Sequence, residues 1–356
     1  YAFTTCTICG PRYSILNGIP YDRRCTTMQQ FEMCATCREE YGNPADRRFY
    51  AQTNSCPDCG IKMKLFDCKA GGICAENDQE AIMQQVVREW QKGAIVAIKG
   101  IGAYLLTCNA SNPESIATLR SRKQRPTKPF ALMYPDLAGL QKDVTVCETA
   151  AQYLLSPAAP IVLLNLAEKE SKNIDIQGIA PGLGKIGAML PNAPLFELLL
   201  RDFGGPIVAT SGNISHEPLV YKDEVAVSDL RGIADFILLH NRDIIMPQDD
   251  SVLALRRITG QQKKEPVLLR RARGYAPAFL QCSLDVPEET VLALGAEMKG
   301  TFALGHLGNL HVSQYLGDLS DFDTQERYRQ TLDHLLNMFE AKPSSFLGDL
   351  HPGYFS

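Results

Sequence analysis

The sequence predicts an α/β protein preceded by a small cysteine-rich module that binds metal. Apolar runs of strand length alternate with amphipathic helical stretches between residues 75 and 275, a pattern typical of an α/β domain with a mixed sheet. Of the 12 cysteines, all but Cys108, Cys147 and Cys282 lie within the first 74 residues, several of them in C-x-x-C pairs. Such clustering favours metal ligation over disulfides.

Length and composition restrict the class of protein. A chain of 356 residues has room for two or three domains. Its 45% hydrophobic and 21% charged residues, with a formal net charge of -4, argue against a disordered chain and a strongly basic nucleic-acid-binding protein. No apolar run reaches the roughly 18 residues of a membrane helix, and no signal segment is recognisable. We therefore expect no membrane partner, no nucleic-acid partner and a cytoplasmic location.

Two cysteine pairs have the spacing of a zinc site. Cys34-x-x-Cys37 and Cys56-x-x-Cys59 are separated by 18 residues, and four thiolates at such spacing hold Zn²⁺ tetrahedrally. Because a closed four-cysteine site leaves no open position for a substrate, we expect this zinc to be structural. The metal-organised module is predicted to span residues 1–66.

A third pair, Cys6 and Cys9, has no matching pair at that spacing. Residues 1–6 resemble residues 50–56, and both segments lead into C-x-x-C-G. We therefore interpret Cys6 and Cys9 as metal ligands from the second half of an earlier finger, whose first half would lie upstream. Alternatively, this pair joins the first pair of the zinc site and leaves the second pair without metal.

The α/β domain is predicted over residues 75–282 and opens with a capped helix. Asn77 or Asp78 can cap its N-terminus, and Gly93 ends it. Its core-facing stripe consists of Ala81, Ile82, Val86 and Trp90. A second helix is predicted to begin with Pro113, because proline suits the first helical position. The remaining predicted elements are strands at 94–98, 130–133, 161–164, 207–209 and 236–239, helices at 150–155 and 194–200, and a hairpin loop at 259–265.

The last part of the chain is predicted to begin a further α/β domain. A boundary falls near residues 283–289, and a strand with a tight turn (291–299), a second strand (301–304) and a helix (324–339) follow. Residues 288–356 are few for a hydrophobic core of their own. We therefore expect this segment to open a larger domain.

Three groups of polar residues in the α/β domain are candidates for an anion site. The first consists of cations between a helix and a core strand: Arg120, Arg122, Lys123, Arg125 and Lys128. Fixed cations in a loop suit a polyphosphate. The second is the turn Ser211-Gly212-Asn213, which can present N–H groups and a hydroxyl to phosphate. The third consists of Arg270, Arg271 and Arg273, followed by Gly274 and Tyr275.

Each group also has a purely structural alternative. The cations could form a solvated helix face, the S-G-N segment is a common turn, and the arginine group could simply cover the sheet.

Together, these motifs resemble those of the YrdC-type domain, which joins ATP to a carbamoylated group and releases pyrophosphate. The motifs are K-G-I-G-A-Y at 99–104, K-Q-R-P-T-K-P at 123–129 and S-G-N at 211–213. The resemblance implies catalytic roles for Lys123 and Arg125, which would hold the nucleotide phosphates. It implies catalytic roles for Ser211 and Asn213 as well, which would contact the same nucleotide.

The resemblance also implies further residues around the nucleotide and the acyl group. Lys99 and Tyr104 would line the acyl pocket. The other residues expected to bind the cofactor are Gly100, Lys128, Gly212, Arg242, Arg273 and Tyr275.

Essentially the whole chain resembles the HypF family of hydrogenase-maturation carbamoyltransferases. C-T-I-C-G-P-R-Y at 6–13 and C-P-D-C-G at 56–60 are similar to its finger region. D-D-S at 249–251 and R-A-R-G-Y-A-P at 271–277 continue the pattern, and L-G-A-E-M-K at 294–299 is similar to the start of its actin-like domain. The implied fold class is α/β: a zinc-finger module, then a YrdC-like mixed α/β domain, then the beginning of an actin-like (ASKHA) α/β domain.

Membership of that family implies an ATP-dependent carbamoyltransferase. The YrdC-like domain would form carbamoyl-adenylate from ATP, with Mg²⁺, and from carbamate derived from carbamoyl phosphate. The carbamoyl group would then pass to the C-terminal cysteine of a HypE-like acceptor protein during maturation of nickel–iron hydrogenase. Two alternatives are a threonylcarbamoyl-adenylate synthase acting in tRNA modification and a catalytically silent, zinc-dependent interaction module.

The sequence departs from the family pattern at several positions, in some cases by replacing a polar residue with an apolar one. These positions are Leu105, Ala159, Asn192, Ala193, Phe196, Pro247, Ala254 and Tyr315. We therefore expect a divergent relative with altered substrate handling.

Overall fold

The computed structural model describes residues 1–4, 10–167, 173–214, 217–257 and 264–356. Short 3-10 turns lie at Tyr13–Ile15, Arg23–Cys25, Thr27–Gln30 and Leu230–Gly232. The α-helices and strands follow in chain order: α1 (Ala35–Gly42), β1 (Met63–Asp67), β2 (Gly72–Glu76), α2 (Gln79–Gln91), β3 (Val96–Lys99), β4 (Tyr104–Asn109), α3 (Pro113–Arg122), β5 (Ala131–Met133), α4 (Leu137–Leu140), α5 (Glu148–Leu154), β6 (Ile161–Asn165), α6 (Ile176–Ile179), β7 (Lys185–Met189), α7 (Pro194–Phe203), β8 (Ile207–Ser211), α8 (Asp223–Asp229), β9 (Phe236–His240), β10 (Val252–Arg257), β11 (Lys264–Arg270), β12 (Phe279–Leu280), β13 (Val291–Ala293), β14 (Ala303–His306), β15 (Asn309–Val312), α9 (Phe322–Met338) and β16 (Ser345–Leu347).

Most of the described strands form one large mixed sheet. Its strand order is β11-β10-β6-β7-β5-β8-β4-β3-β9-β1-β2. The pairs β10–β6, β5–β7 and β3–β9 are parallel, and the other pairs are antiparallel. All four residues of β3 are buried, because both faces of the sheet are covered at its centre. Such strands have continuous apolar sequences rather than alternating ones.

Helices cover both faces of this sheet. On one face, Ile82, Val86 and Trp90 of α2 pack near Leu195 and Leu199 of α7. A spacing of four residues places the three α2 side chains on one side of the helix. The opposite face is covered by α3 and α5, through Ile116, Leu119, Ala150 and Leu154.

The finger region shares the core of the large sheet. Phe3, Ile15, Met28 and Phe31 are buried in the same cluster as α2 and α7. The hairpin β1–β2 follows the cysteine region directly, and β1 pairs with β9. Because β1 pairs with β9, the hairpin belongs to the large sheet. Residue 66, the predicted end of the metal-binding module, lies in β1, and residue 75, the predicted start of the α/β domain, lies in β2.

The C-terminal part forms a second sheet, in the order β12-β15-β14-β13-β16. Tyr328 and Leu335 of α9 are buried with Leu292 and Leu304 of this sheet. Tyr13 of the finger region belongs to the same buried cluster, so the C-terminal unit packs against the finger region.

The C-terminal unit is also hydrogen-bonded to the large sheet near β10 and β11. Gln314 Nε2 donates to Pro247 O at 2.8 Å, and Tyr315 N donates to Arg271 O at 2.6 Å. The Arg271 guanidinium donates in turn to Val312 O. These contacts fix β15 and the residues after it beside the ends of β10 and β11.

Most of the predicted elements are confirmed. Asp78 caps α2 by accepting a hydrogen bond from Ala81 N, and α3 begins at Pro113 behind an Asn112 cap. The predicted strands correspond to β3, β5, β6, β8, β9, β13 and β14, and the other predicted helices to α5, α7 and α9. β4 and β7 are among the elements that the sequence does not predict, because each follows a glycine-containing loop that has the composition of a turn. Most of the predicted hairpin loop at 259–265 lies outside the described residues.

Among the described helices, none combines the length and the apolar character that crossing a bilayer requires.

Trp90 allows a direct test of how α2 packs on the sheet, because it is the only tryptophan in the sequence. Its Nε1 donates to Thr107 Oγ1 at 3.0 Å, and that hydroxyl donates to Val96 O at 2.6 Å. Thr107→Val keeps the volume but leaves the buried indole N–H without an acceptor. We expect the free energy of unfolding to fall by about 1–3 kcal/mol, measured by urea denaturation with tryptophan fluorescence.

Thr145→Val is the matched control for this substitution, because Thr145 is exposed. Its free energy of unfolding should stay within about 0.5 kcal/mol of the wild type. Equal losses in the two variants would contradict a stabilising role of the Trp90–Thr107 hydrogen bond.

Candidate functional site

The two cysteine pairs predicted to bind zinc come together in the finger region. The sulfur atoms of Cys34, Cys37, Cys56 and Cys59 all lie within 4.8 Å of one another. The thiols that contact each other in this cluster have sulfur–sulfur distances of 3.7 to 3.8 Å, far longer than a disulfide bond. A tetrahedral ion with Zn–S bonds of about 2.3 Å requires sulfurs about 3.8 Å apart. The four thiols therefore have the arrangement that a structural zinc ion needs.

Local backbone geometry holds these cysteines in place. Cys34 is the N-cap residue of α1, and Cys37 lies in the first turn of that helix. In the second pair, Gly60 N donates to Cys56 O at 2.8 Å and closes a tight turn. A Cβ atom on Gly60 would lie 2.6 Å from the backbone oxygen of Cys56, so this turn requires glycine.

Arg23 connects the loops around the cluster. Burial lowers the pKa of its guanidinium, which donates to three backbone carbonyls, those of Phe31, Gln52 and Asn54, at 2.7 to 2.9 Å. This side chain therefore orders the chain immediately before the second cysteine pair.

Cys6 and Cys9, predicted as a further pair of metal ligands, lie outside the described residues. Their role stays a prediction.

Lys123, Ser211 and Asn213 belong to separate sequence motifs and meet in the structure. Lys123 is the C-cap of α3, and Ser211 ends β8. The Lys123 ammonium donates to Ser211 O at 2.6 Å, to Asn213 O, and to Asn213 Oδ1 at 3.0 Å. Burial and then the charge of Arg125 lower the pKa of Lys123 to about 7. One buried amine therefore orders the Ser-Gly-Asn turn.

Further cations surround this turn. Burial, followed by the charges of neighbouring cations, lowers the pKa of Arg125 to about 10 and also lowers the pKa of Lys128. Arg270 forms an ion pair with Asp249, whose own pKa is raised by burial. These positive charges lie close together and are partly desolvated, so they repel one another. A bound polyanion would stabilise their charged forms.

The other two predicted cations have structural partners. Arg120 Nε donates to Gly178 O at 2.6 Å, and Arg122 forms an ion pair with Asp235 at 2.9 Å. Arg125 also donates to protein acceptors, Thr210 Oγ1 at 3.0 Å and Lys128 O at 3.2 Å, but Thr210 directly precedes the Ser-Gly-Asn turn. The structural alternative therefore describes Arg120 and Arg122 better than anion binding does.

A cleft lies beside the glycine-containing connection between β3 and β4. Strand register explains its position. Lys99 pairs with Tyr104, and Leu105 pairs with Ser211, so the end of β3, the start of β4 and the end of β8 are adjacent. The described residues that line the cleft include Gly100, Gly102, Tyr104, Ser211, Gln248, Asp249, Asp250 and Arg273.

Gly212 allows the Ser-Gly-Asn turn to approach β4 closely. Its N–H donates to Tyr104 O at 2.7 Å, and a Cβ atom on Gly212 would lie 2.7 Å from that same oxygen. Any larger residue would push the turn away from the cleft.

A buried network joins the two residues predicted to line the acyl pocket. Lys99 Nζ lies 2.5 Å from Asp223 Oδ1 and donates to His240 O at 3.0 Å. The Tyr104 hydroxyl donates to the same Asp223 oxygen at 2.7 Å. Burial and then the Asp223 charge raise the pKa of Tyr104, so its hydroxyl stays protonated.

The structure separates the remaining predicted site residues. Arg273 borders the cleft but forms an ion pair with Asp250 at 2.8 Å and donates to two backbone carbonyls. Arg242 lines a different cavity, beside the finger region, which Lys99 also borders. Tyr275 is half-buried and is not among the described lining residues of either cavity.

Sequence reasoning misses two polar residues of this region. Asp223, in the first turn of α8, looks in sequence like an ordinary helix-starting acid. Gln248 lines the cleft, and its backbone N–H donates to Gly102 O at 3.0 Å. Asp249 and Asp250 belong to a motif of the resemblance, but only the structure shows that they pair with arginines.

Three family models match the chain. The YrdC-type model, described as "Telomere recombination", matches residues 88–272. The "HypF finger" model matches residues 33–66, and the "HypF Kae1-like domain" model matches residues 286–356.

Individual relatives extend along the whole chain. A "Carbamoyltransferase HypF" from Rhodobacter capsulatus is 42% identical over 99% of this chain, and one from Synechocystis sp. is 40% identical over 100% of it. The crystal structure of a full-length HypF in a phosphate- and nucleotide-bound form superposes with a TM-score of 0.90, at 39% identity over 99% of this chain. A bovine "Threonylcarbamoyl-AMP synthase" is 30% identical but over only 38% of the chain.

The fold and the cysteine cluster define a mixed α/β protein that combines a zinc-finger region, a YrdC-like domain and a Kae1-like segment. The chain belongs to the HypF family of carbamoyltransferases. The fold class predicted from the sequence is confirmed. The chain spans 45% of the length of these two curated relatives and 44% of the full-length structure.

The zinc assignment predicts a specific loss of metal. Cys37→Ser removes a buried ligand from the cluster, so we expect the bound zinc to fall by about one ion per chain, measured by plasma mass spectrometry after dialysis. Cys74→Ser is the control, because Cys74 is exposed and outside the cluster. Equal zinc contents in Cys37→Ser and the wild type would rule out this site.

Proposed function

We propose that this chain contains the adenylate-forming part of an ATP-dependent carbamoyltransferase. The observation that supports this most strongly is the convergence of Lys123 with the Ser211–Asn213 turn, beside a cleft bordered by Tyr104. A nucleoside triphosphate is the kind of ligand that this group of cations and N–H groups would bind. A full-length HypF structure is described as nucleotide-bound, which agrees with this assignment.

The proposed reaction has two steps. A carbamate oxygen attacks the α-phosphorus of ATP, the bond to the bridging oxygen of the β-phosphate breaks, and pyrophosphate leaves with that electron pair. In the second step, an acceptor thiolate attacks the carbamoyl carbon and AMP leaves. In the whole protein the carbamate would come from carbamoyl phosphate, and the thiol would be the C-terminal cysteine of a HypE-like protein.

The cations have a defined electrostatic task in the first step. Negative charge accumulates on the leaving pyrophosphate, and preorganised cations in a partly desolvated site stabilise it. Lys123, Arg125 and Lys128 are the residues we assign to this task, and Mg²⁺ would neutralise further phosphate charge. Ser211 and Asn213 would orient the nucleotide through the turn that Lys123 orders.

The network around Asp223 would position the acyl group. Because Asp223 accepts hydrogen bonds from both Lys99 and Tyr104, it fixes the orientation of the tyrosine at the edge of the cleft. The Tyr104 backbone also accepts from Gly212, which would connect the acyl side of the site to its nucleotide side.

We expect carbamoyl-adenylate to form when the chain is given ATP, Mg²⁺ and ammonium bicarbonate, which supplies carbamate without carbamoyl phosphate. Mass spectrometry of the quenched reaction would detect the product. Lys123→Met should reduce its formation on the order of 100-fold, because a preorganised cation is lost. Lys142→Met, at an exposed lysine, should leave it unchanged.

A parallel reaction with threonine and bicarbonate separates this proposal from its alternatives. Threonylcarbamoyl-adenylate as the main product would favour a tRNA-modification enzyme. Neither adenylate, combined with no detectable ATP binding, would favour a silent interaction module.

The lowered pKa of Lys123 predicts that nucleotide binding weakens as the pH rises. Below pH about 7 the amine is protonated, and a bound polyphosphate stabilises that form. Above that pH the free protein loses this proton, so binding must be coupled to proton uptake. We expect the affinity for a non-hydrolysable ATP analogue to fall between pH 7 and 9, by at most about tenfold per pH unit.

Calorimetry in buffers of different ionisation enthalpy would measure this proton uptake. Lys123→Met should bind more weakly and lose the uptake in this window, after the titration of the analogue itself is subtracted. The same pH dependence in both proteins would assign it to another group.

A further inference from the structure

Residues 217–223, which we name the strap, lie between the Ser-Gly-Asn turn and the body of α8. Leu219 of the strap lines the cleft. Before Asp223, the first residue of α8, the strap belongs to no helix or strand. Its position therefore depends on the contacts that it makes with neighbouring elements.

Hydrogen bonds join the strap to both sides of the candidate site. Val220 N donates to Gly212 O at 3.0 Å, and Tyr104 N donates to Val220 O at 2.9 Å. The side-chain amide of Asn213 donates to Glu217 O. A displacement of the strap would therefore move the Ser-Gly-Asn turn and the start of β4 together.

The far end of the strap also contacts Tyr104. Asp223 accepts a hydrogen bond from the Tyr104 hydroxyl and forms an ion pair with Lys99. The strap thus holds the backbone of Tyr104 through Val220 and its hydroxyl through Asp223.

Arg327, in α9 of the C-terminal unit, supports the strap from outside. Its guanidinium carbon lies 5.0 Å from the ring centroid of Tyr221, and its Nη2 donates to Leu219 O at 3.4 Å. A guanidinium over an aromatic face is attracted by the ring, and more strongly where water is excluded. Arg327 itself is not among the described residues that line the cleft, so it can act on the site only through the strap.

The environment of Arg327 differs from that of a solvated surface cation. It follows the buried Thr324 by three residues and precedes the buried Thr331 by four, so it lies on the inward face of α9. Burial lowers the pKa of its guanidinium, and the groups that favour its charge are Tyr221 and then Asp323. A half-buried cation depends on such contacts, and Tyr221 belongs to the strap.

The C-terminal unit also contacts a second segment that lines the cleft. Gln314 Nε2 donates to Pro247 O at 2.8 Å, and the next residue, Gln248, lines the cleft. One unit therefore contacts two separate parts of the cleft wall.

We propose that Arg327 is a positioning residue for adenylate formation, which holds the strap, and through it the Ser-Gly-Asn turn and Tyr104, in the arrangement that binds ATP. This role rests on the proposed function, which assigns ATP to that turn. Docking of α9 against the strap raises the fraction of molecules that are ready to bind nucleotide. Because the apparent dissociation constant is the intrinsic one divided by that fraction, a released strap weakens ATP binding and changes the saturated rate little.

The test is the rate of carbamoyl-adenylate formation by the full chain as a function of ATP concentration. We expect Arg327→Met to raise the KM for ATP about tenfold, with kcat within about twofold of the wild type. Arg329→Met is the matched control, because Arg329 lies in the same helix, over the ring of Phe355 at 4.7 Å, and should keep the wild-type KM. An unchanged KM in Arg327→Met, or a loss of kcat alone, would overturn the proposal.

Tyr221 tests the same contact from the strap side and decides the outcome if Arg327→Met does not fold. Tyr221→Leu removes the ring and should raise the KM for ATP, whereas Tyr221→Phe keeps the ring and should stay near the wild type. Combined with Arg327→Met, Tyr221→Leu should raise the KM little further, because both changes release one contact. Independent, multiplying effects would overturn a role of Arg327 through Tyr221.

Hydrogen exchange without nucleotide keeps the two proposals separable, because it needs no catalysis. The Val220 amide should exchange faster in Arg327→Met than in the wild type and in Arg329→Met, measured by mass spectrometry of peptides that cover the strap. Equal exchange in Arg327→Met and the wild type would overturn the positioning role, whether or not adenylate forms. Faster exchange in Arg327→Met, with no adenylate from the wild type, would overturn the proposed function and leave Arg327 as the support of the strap.

Discussion

The antiparallel pairing of β4 with β3 and β8 is the interaction on which the candidate site depends. It places Tyr104 opposite Lys99 and Leu105 opposite Ser211, so residues that are more than a hundred positions apart in sequence become neighbours. A shift of one residue in this register would turn every side chain of β4 to the opposite face. Buried side chains on both faces of the sheet, such as Leu105 and Leu106, make such a shift costly.

Much of the fold could be predicted because its helices and central strands have clear periodicity. The α2 stripe, the proline at the start of α3 and the apolar run of β3 are each local signals, and the structure confirms each of them. The sequence does not predict β4, because this strand follows K-G-I-G-A at residues 99–103, where the glycines indicate a turn. The hairpin β1–β2 belongs to the large sheet through a pairing with β9, and no local signal reveals a pairing of that sequence separation.

The candidate site was predictable in its motifs but not in its pairings. The spacing of two C-x-x-C units is sufficient to predict the cysteine cluster, and the cationic and S-G-N motifs mark the two sides of the Lys123 contact. Whether a given arginine is available to a ligand depends on the carboxylates nearby. Arg273 has Asp250 as its partner, whereas buried Arg242 has no carboxylate partner among the described residues. Such a difference follows from tertiary packing, which the sequence alone does not display.

The hydrogen bonds between the C-terminal unit and the large sheet have a mechanical consequence. Gln314 holds Pro247 and Tyr315 holds Arg271, and these two contact points lie next to Asp249 and Arg270, which form an ion pair. A rotation of the C-terminal sheet would therefore displace both partners of that ion pair together. The two units are therefore coupled mechanically through backbone contacts that flank this ion pair.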